Sequence, residues 1–271
     1  MKTLVIIHNL NSRGKNINED YVRELLNKKG IKFHYFQTKQ ISDVDEIIKK
    51  YNNPSEFQYC SIGGDGSLNA LVNSLMKNNI TMPEVSCLPG GSGSDFIRTF
   101  ALPQNIEEAV EHLIFDNFYE VDVGLIKNKT DVKYFINVLN IGFLASTVEV
   151  SEKFPNLFRA FRYPLSFWIK IITARAKEMT ISNDKYEFKG MAFNICVCNA
   201  QYFGGGWNIS PKSSLQDGLF NIQVFAVTKL KAMQIFFLAK KGLHLKESSV
   251  KLKRLSQLTV NSKDPIEIDG D

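Results

Sequence analysis

The sequence has no long hydrophobic run. None of its apolar stretches approaches the roughly 18 residues of a membrane-spanning helix, and the opening run at residues 4–7 (LVII) is too short for a signal peptide and lacks a cleavage site. Repeats, low-complexity segments and linkers rich in proline, glycine or serine are also absent. These absences predict a globular cytoplasmic protein whose access to any membrane is peripheral.

Cysteine is scarce, with four residues in a chain of 271, and no two of them form a CxxC pair. The four histidines belong to no HExxH motif and show no spacing typical of zinc ligands. A zinc site and a disulfide framework are therefore disfavoured. We expect Cys60, Cys87, Cys196 and Cys198 to be reduced, buried thiols.

Neither sign of charge is in large excess, since 33 lysines and arginines against 28 aspartates and glutamates give a formal net charge of +5. This mild excess permits anionic partners and gives no reason to expect a nucleic acid. The basic residues are concentrated in the second half, with six of them and no acidic residue from Lys153 to Lys177, and eight against Glu247 alone from Lys229 to Arg254.

The first 120 residues alternate short β-rich runs with helical patterns, which is typical of βαβ units on a parallel sheet. The predicted strands lie at residues 3–8, 32–37, 57–62 and 84–88. The predicted helices lie at residues 21–28, 44–51, 68–78 and 106–115. This pattern predicts a doubly wound α/β domain over residues 1–123.

Longer strand-like runs follow after about residue 123, with helical stretches between some of them. They lie at residues 134–141, 192–198, 220–227 and 255–260. The fold class is therefore α/β plus all-β, with a mainly β domain over residues 124–271. A ligand is expected in the cleft between two such domains.

The first segment with chemical character is residues 63–70 (GGDGSLNA), where a predicted strand runs into glycines and then into a helix. Glycines let a backbone approach phosphates closely, and the helix N-terminus favours negative charge. Asp65 would repel phosphates unless it binds Mg²⁺, positions a positive group or accepts a proton, so it points to catalysis. The segment is neither a Walker A motif nor a complete GxGxxG, and an ordinary strand-to-helix turn stays open as an alternative.

Two further loops follow predicted strands. Residues 90–95 (GGSGSD) repeat the glycine-rich pattern one strand later, and residues 8–15 (HNLNSRGK) add hydroxyl, amide and basic groups. Each pattern alone also fits a polar turn or a helix N-terminus. Glycine-rich loops at the carboxyl ends of successive parallel strands favour a ligand there, because doubly wound folds bind ligands at that edge.

Two segments of the second half contain an Asp-Gly pair. Asp217-Gly218 precedes an apolar run, and its pattern fits a tight turn or a site for a hard cation. The chain ends in Asp269-Gly270-Asp271, which suits a turn or a general base with a second acid beside it. Spacing alone does not choose between these alternatives.

Taken in order, these segments resemble the diacylglycerol kinase catalytic-domain family, which includes sphingosine and ceramide kinases and shares its nucleotide-binding fold with NAD kinases. The family's GGDGTxNE motif corresponds to residues 63–70, with Ser67 for threonine and Ala70 for glutamate. Its GTxNDFAR motif corresponds to residues 91–98, its GGG…PxAxxDDG segment to residues 204–218, and its terminal DGE to residues 269–271.

The resemblance implies an α/β nucleotide domain followed by a β-sandwich, and it assigns roles residue by residue. The residues implied to bind ATP are Asn9, Ser12, Thr38, Gly64, Asp65, Gly66, Ser67, Asn69 and Ser92. A structural Mg²⁺ is implied at Asp217 with the main-chain oxygens of Ser214 and Leu219. The implied catalytic residues are Asp269 as general base, Asp271 in the place of the family's glutamate, and Asp65, which would organise metal and water.

The implied function is an ATP- and Mg²⁺-dependent kinase for a diacylglycerol-like or sphingoid lipid. Aromatic and basic residues alternate over residues 154–177, and this composition suits either contact with an anionic membrane or an ordinary packed amphipathic helix. A kinase for a soluble alcohol or NAD, and a nucleotide-binding module without turnover, stay open as alternatives. The identity of the lipid and the oligomeric state, including a homodimer, are not determined by the sequence.

Overall fold

The computed structural model describes residues 2–12, 17–91, 94–115, 117–154 and 162–270. The chain divides into two compact units, Met1–Phe135 and Ile136–Asp271. No helix among the described residues is both long enough and apolar enough to cross a membrane.

The first unit contains a four-stranded parallel sheet with the order β2-β1-β3-β4, as the alternation of elements predicts. Its strands are β1 (Thr3–Asn9), β2 (Phe33–Thr38), β3 (Phe57–Gly63) and β4 (Val85–Pro89). Its helices are α1 (Glu19–Lys28), α2 (Ile41–Lys50), α3 (Asp65–Lys77), α4 (Asp95–Thr99) and α5 (Ile106–His112). A hairpin of β5 (Gly124–Lys127) and β6 (Val132–Phe135) completes this unit.

Strand β1 explains why the sheet is covered on both faces. Successive side chains of a strand point to opposite faces, and in residues 4–7 of β1 both sets are apolar and buried. Leu4 and Ile6 belong to a core with residues of α1, whereas Val5 and Ile7 belong to another core with residues of α2 and α3. Two buried faces are typical of a doubly wound parallel sheet.

The second unit is an antiparallel β-sandwich with helices inserted between its strands. The larger sheet has the order β12-β11-β10-β7-β14 and the smaller one the order β13-β8-β9. The first strands along the chain are β7 (Val138–Gly142), β8 (Lys177–Asn183), β9 (Tyr186–Ala192) and β10 (Asn194–Cys198). The others are β11 (Phe220–Phe225), β12 (Val250–Leu255), β13 (Thr259–Asn261) and β14 (Ile266–Ile268). The helices are α6 (Phe143–Glu152), α7 (Arg162–Thr173) and α8 (Lys229–Ala239), and a 3₁₀ turn spans Leu243–Lys246.

Three of the four strands predicted in this unit are wrong as single elements. Residues 134–141 form the end of β6 and most of β7, residues 192–198 are interrupted at Phe193, and residues 255–260 span a turn between β12 and β13. The first interruption has a visible cause, because the backbone amides of residues 136–138 donate to the Asp269 carboxylate. A continuous apolar run in the sequence does not show such an interruption.

Candidate functional site

The two glycine-rich loops of the first unit meet at the carboxyl ends of β3 and β4. These strands are parallel neighbours, and the amide of Gly90 donates to the carbonyl oxygen of Gly63 at 3.0 Å. The predicted convergence of the loops is confirmed. It gathers glycine backbone and the N-terminus of the 13-residue helix α3 at one edge of the sheet.

Asp65 is the residue that joins these loops. It is the first residue of α3, and its carboxylate accepts hydrogen bonds from the amides of Asp95 and Phe96, both at 2.9 Å. These amides belong to the first turn of α4, where helix N–H groups otherwise lack partners. Asp65 therefore fixes the start of one loop helix against the start of the other.

The loop after β1 contacts both glycine-rich loops. The Asn9 amide nitrogen donates to Ser67 Oγ at 3.0 Å, and the Ser12 hydroxyl donates to the carbonyl oxygen of Gly90 at 3.1 Å. Asn9 Oδ1 also accepts from the amide of Asn11 at 2.9 Å. Three of the residues predicted to bind ATP are thus brought together by the fold.

The glycines allow this close approach. A Cβ atom on Gly63 would lie 2.3 Å from Ser67 Oγ, and one on Gly90 would lie 3.0 Å from the nitrogen of Gly63. Gly64 is the N-cap of α3, and Gly66 lies in the first turn of that helix. A side chain at Gly63 would therefore displace Ser67, and one at Gly90 would push the two glycine-rich loops apart.

Thr38 and Asn69 lie elsewhere around these loops. Thr38 is buried at the end of β2, and its hydroxyl donates to the carbonyl oxygen of His8 at 3.4 Å. Asn69 donates to the carbonyl oxygen of Tyr134 at 3.0 Å, so it contacts the hairpin strand β6. Ser92 lies outside the described residues. Through these hydrogen bonds Thr38 joins β2 to β1, and Asn69 joins α3 to β6, beside the loops.

A partly buried pair beside the loop after β1 has no counterpart among the predicted site residues. His8 Nδ1 lies 2.7 Å from the Tyr35 hydroxyl, and the guanidinium of Arg23 lies 4.8 Å from the Tyr35 ring centroid. Burial lowers the pKa of His8 and raises the pKa of Tyr35. The pair joins β1 and β2 immediately before Asn9, and nothing in the local sequence pattern distinguishes it from core packing.

The four cysteines are free thiols, as expected, although Cys87 is only partly buried. Burial raises the pKa of Cys60, Cys87 and Cys198 to about 12, and that of Cys196 well above its usual value. Thiols in this state are poor nucleophiles near neutral pH.

Asp269 is held within the second unit by three backbone amides. Its carboxylate accepts from Ile136 at 2.8 Å and from Asn137 and Val138 at 2.9 Å. The backbone of Asp269 is left-handed (φ 53°), and Gly270 follows with φ 98°. The buried Glu267 accepts from the amide of Gly270 and from the Asn140 side chain. Asp271 lies outside the described residues.

The side chains of Asp217 and Ser214, two of the predicted Mg²⁺ ligands' residues, bond to other groups in this arrangement. Asp217 Oδ1 accepts from the amide of Leu219 at 3.0 Å, Asp217 Oδ2 accepts from Arg254 at 2.5 Å, and Ser214 Oγ accepts from the amide of Gln216 at 3.3 Å. A hard cation takes six or more oxygen ligands, whereas here a guanidinium already occupies the carboxylate. Across the described residues, no group of three or more His, Cys, Asp or Glu could hold a metal ion.

An apolar cavity of about 50 Å³, partly open to solvent, lies within the second unit. It is enclosed by α6, α7, α8 and the larger sheet, and thirteen of its fourteen lining residues are apolar. The exception is Asn194, whose Oδ1 accepts from the amide of Leu144 at 2.9 Å. Aromatic lining residues include Phe143, Phe167, Trp207, Phe225 and Phe236. Sequence reasoning did not find this cavity, because its walls come from segments far apart in the chain.

Comparisons with known proteins agree with this architecture. Residues 3–126 match the model of the diacylglycerol kinase catalytic domain, and residues 137–271 match that of the YegS C-terminal NAD kinase beta sandwich-like domain. These matches define a kinase built of a nucleotide-type α/β unit and a β-sandwich. The chain belongs to the diacylglycerol kinase catalytic-domain family, as its motifs predict.

Individual relatives are distant. The chain is 26% identical to the diacylglycerol kinase of Staphylococcus saprophyticus over 88% of this chain and 77% of that protein. It is 25% identical to the "Probable lipid kinase YegS" of Salmonella arizonae over 80% of this chain and 73% of that protein. A crystal structure of a diacylglycerol kinase from Bacillus anthracis covers 100% of this chain and 90% of its own, with a TM-score of 0.74 at 21% identity, and shows the same fold.

Proposed function

We propose that this kinase transfers the γ-phosphate of Mg·ATP to a hydroxyl group of a diacylglycerol-like or sphingoid lipid. The observation that carries the lipid part of this proposal is the apolar cavity of the second unit. A soluble alcohol or NAD offers no surface that would match a cavity with such walls, whereas an acyl chain does. The names of the relatives support the same substrate class.

The loops of the first unit supply what a phosphate donor needs. Phosphoryl transfer asks a protein mainly for positioning and for neutralisation of charge. Glycine backbone and the N-terminus of α3 provide N–H groups and a positive dipole end, and Asn9, Ser12 and Ser67 provide polar side chains beside them. We infer that Asp65 is a positioning residue here, because its carboxylate accepts the two amides that join the loops.

In the second unit we propose Asp269 as the group that takes the proton of the lipid hydroxyl, with Asp271 beside it in the chain. Three amides fix the Asp269 carboxylate, so its orientation is set before any substrate binds. A preorganised carboxylate suits general base catalysis, which depends on hydrogen-bond reach to the proton that is removed.

The direct test follows label from γ-labelled ATP with Mg²⁺ into lipid extract in mixed micelles, with NAD and glycerol as parallel acceptors. We expect label in a lipid. Label confined to glycerol or NAD would overturn the lipid assignment in favour of a soluble acceptor. No label anywhere, with ATP still bound, would leave a nucleotide-binding module without turnover.

Filling the cavity should weaken the binding of the lipid acceptor and leave the binding of ATP unchanged. Ala239 lines the cavity from α8 and is buried, so Ala239→Phe places a ring in space that the wild type leaves empty. We expect the KM for a long-chain lipid to rise about 10-fold or more, with the KM for ATP unchanged. The measurement compares acceptors of long and short acyl chain, and an equal effect on both would contradict acyl binding in the cavity.

We also propose that helices α7 and α8 form a face that contacts an anionic membrane. Phe167 of α7 lies 3.8 Å from Phe236 of α8 between ring centroids, so the helices are neighbours. Their outer positions are exposed and apolar: Leu165, Ile169 and Ile172 on α7, and Leu230 and Phe237 on α8. Exposed basic residues accompany them at Arg175, Lys240 and Lys241. Residues 155–161 of the stretch predicted for this contact lie outside the described residues.

Reversing charge on this face should release the protein from vesicles. We expect Lys170→Glu/Arg175→Glu to reduce co-sedimentation with anionic vesicles several-fold, because basic side chains near a surface attract anionic headgroups. Lys28→Glu/Lys49→Glu makes the same change in net charge on exposed helix positions of the first unit and is the matched control. An equal loss of co-sedimentation in both variants would mean that net charge alone controls vesicle binding. It would contradict a specific membrane-binding face.

A further inference from the structure

The turn before β11 contains an ion pair where the family pattern implies a metal ion. Asp217 is the only carboxylate in residues 204–219, and its side chain is 24% exposed. The guanidinium of Arg254 lies 2.5 Å from Asp217 Oδ2. Arg254 comes from strand β12, which pairs with β11 so that Arg254 stands opposite Asn221.

We propose that Arg254 takes the place of a divalent cation at Asp217, so that the second unit keeps this turn without Mg²⁺. One carboxylate supplies a single negative charge, and the guanidinium neutralises it. A divalent cation at the same oxygen would meet this fixed positive charge, with Lys212 as a second one in the same segment. An arginine suits this position, because its planar guanidinium matches the geometry of a carboxylate and stays charged at all physiological pH values.

The neighbouring lysines of β12 are occupied elsewhere. Lys251 lies 4.8 Å from the ring centroid of Phe188, and Lys253 lies 5.1 Å from that of Tyr186. Alternate residues of a strand point to opposite faces, so Arg254 lies on the other face from these lysines. One basic side chain of β12 therefore contacts the turn, and two contact the smaller sheet.

The turn is connected to the apolar cavity. Trp207 and Ile209, in the same segment as Asp217, both line the cavity, and the Trp207 ring lies 4.7 Å from that of Phe236 on α8. Gln223 of β11 donates to the carbonyl oxygen of Ile209 at 2.8 Å and holds the segment on the sheet. The ion pair holds the carboxyl-terminal end of this segment. We therefore expect its loss to change the environment of Trp207.

Tryptophan fluorescence provides the measurement, because both tryptophans of the chain, Trp168 and Trp207, belong to the second unit. Thermal unfolding is followed without nucleotide or lipid, in excess EDTA and in millimolar Mg²⁺. We expect the wild-type midpoint to be the same in both. For Arg254→Met we expect a midpoint about 2–4 °C lower in EDTA, and a recovery on addition of Mg²⁺.

Three variants make the test specific. Arg254→Met/Asp217→Asn removes the carboxylate as well, and we expect it to show no response to Mg²⁺. Lys253→Met removes a positive charge from the neighbouring position and should show no response either. Mn²⁺ replaces Mg²⁺ for detection of binding by electron paramagnetic resonance, and we expect binding to Arg254→Met that the double variant lacks.

Two results would overturn the proposal. A wild-type midpoint that rises with Mg²⁺ and loses this response in Asp217→Asn would show that the metal displaces the arginine. An Arg254→Met variant with the midpoint of Lys253→Met and no metal response would show that the pair does not hold the turn. Neither result bears on phosphoryl transfer, because no ATP or acceptor is present.

Discussion

Asp269→Asn is expected to lower the rate of phosphoryl transfer by roughly 10²–10⁴-fold, the range by which a positioned acid or base accelerates proton transfer. The substitution keeps the size of the side chain. It also suits the left-handed backbone at this position, where φ is 53° and asparagine is well tolerated. The change therefore removes the carboxylate without adding backbone strain.

The same substitution should also lower the free energy of unfolding of the second unit. The Asp269 carboxylate accepts three amides from residues 136–138, and an asparagine side chain would turn an NH₂ group towards at least one of them. Each buried donor left without an acceptor costs about 1–3 kcal/mol. We expect a stability loss of that order in urea unfolding followed by tryptophan fluorescence.

Activity per folded molecule separates the two effects. Kinase assays are made at a temperature and urea concentration at which both proteins are fully folded. Asp264→Asn is the matched control, because Asp264 is a carboxylate of the same segment that pairs with Lys177 instead. An Asp269→Asn variant that is less stable yet fully active per folded molecule would contradict the general-base assignment and leave Asp269 a structural residue.

The sequence predicted which loops of the first unit come together better than it predicted the contacts between them. Glycines after two strands and a polar loop after a third are local signals, and parallel strands place their carboxyl ends at one edge, so convergence follows from topology. The hydrogen bonds from the amides of Asp95 and Phe96 to Asp65 depend on the relative position of the two loops. Spacing along the chain does not contain that information.

The limits of the fold prediction have the same origin. Helix α3 begins at Asp65, three residues before the predicted start, because apolar periodicity first registers at Leu68 while the first turn is polar and glycine-rich. The cavity was missed because Phe167, Trp207 and Phe236 are each ordinary apolar positions in their own segments. Only the packing of α7 and α8 against the larger sheet brings them around one empty volume.

His244 is expected to make the second unit less stable as the pH falls from about 6.5 to about 4. The residue is fully buried, its Nε2 lies 2.9 Å from Gln223 Oε1, and its ring stacks on Phe225. Its Nδ1 is buried without a hydrogen-bond partner among the described residues. Burial lowers the pKa of His244 from 6.5 to about 4.

The direction follows from proton uptake. Between these two pKa values the unfolded chain binds a proton at His244 and the folded chain does not, so stability rises with pH across this window. The contribution is fully present above pH 6.5 and is lost as the pH approaches about 4. A difference of this size corresponds to about 3 kcal/mol at most, and the lowered pKa of His8 acts in the same direction in the first unit.

Urea unfolding followed by tryptophan fluorescence reports the second unit and therefore His244 rather than His8. His244→Gln keeps a polar group near Nε2 but does not titrate, so we expect it to flatten the pH dependence between pH 6.5 and 4 even if it is less stable at neutral pH. His112→Gln changes an exposed histidine of the first unit and should leave the slope as in the wild type. A slope that persists in His244→Gln would contradict the assignment of the acid sensitivity to His244.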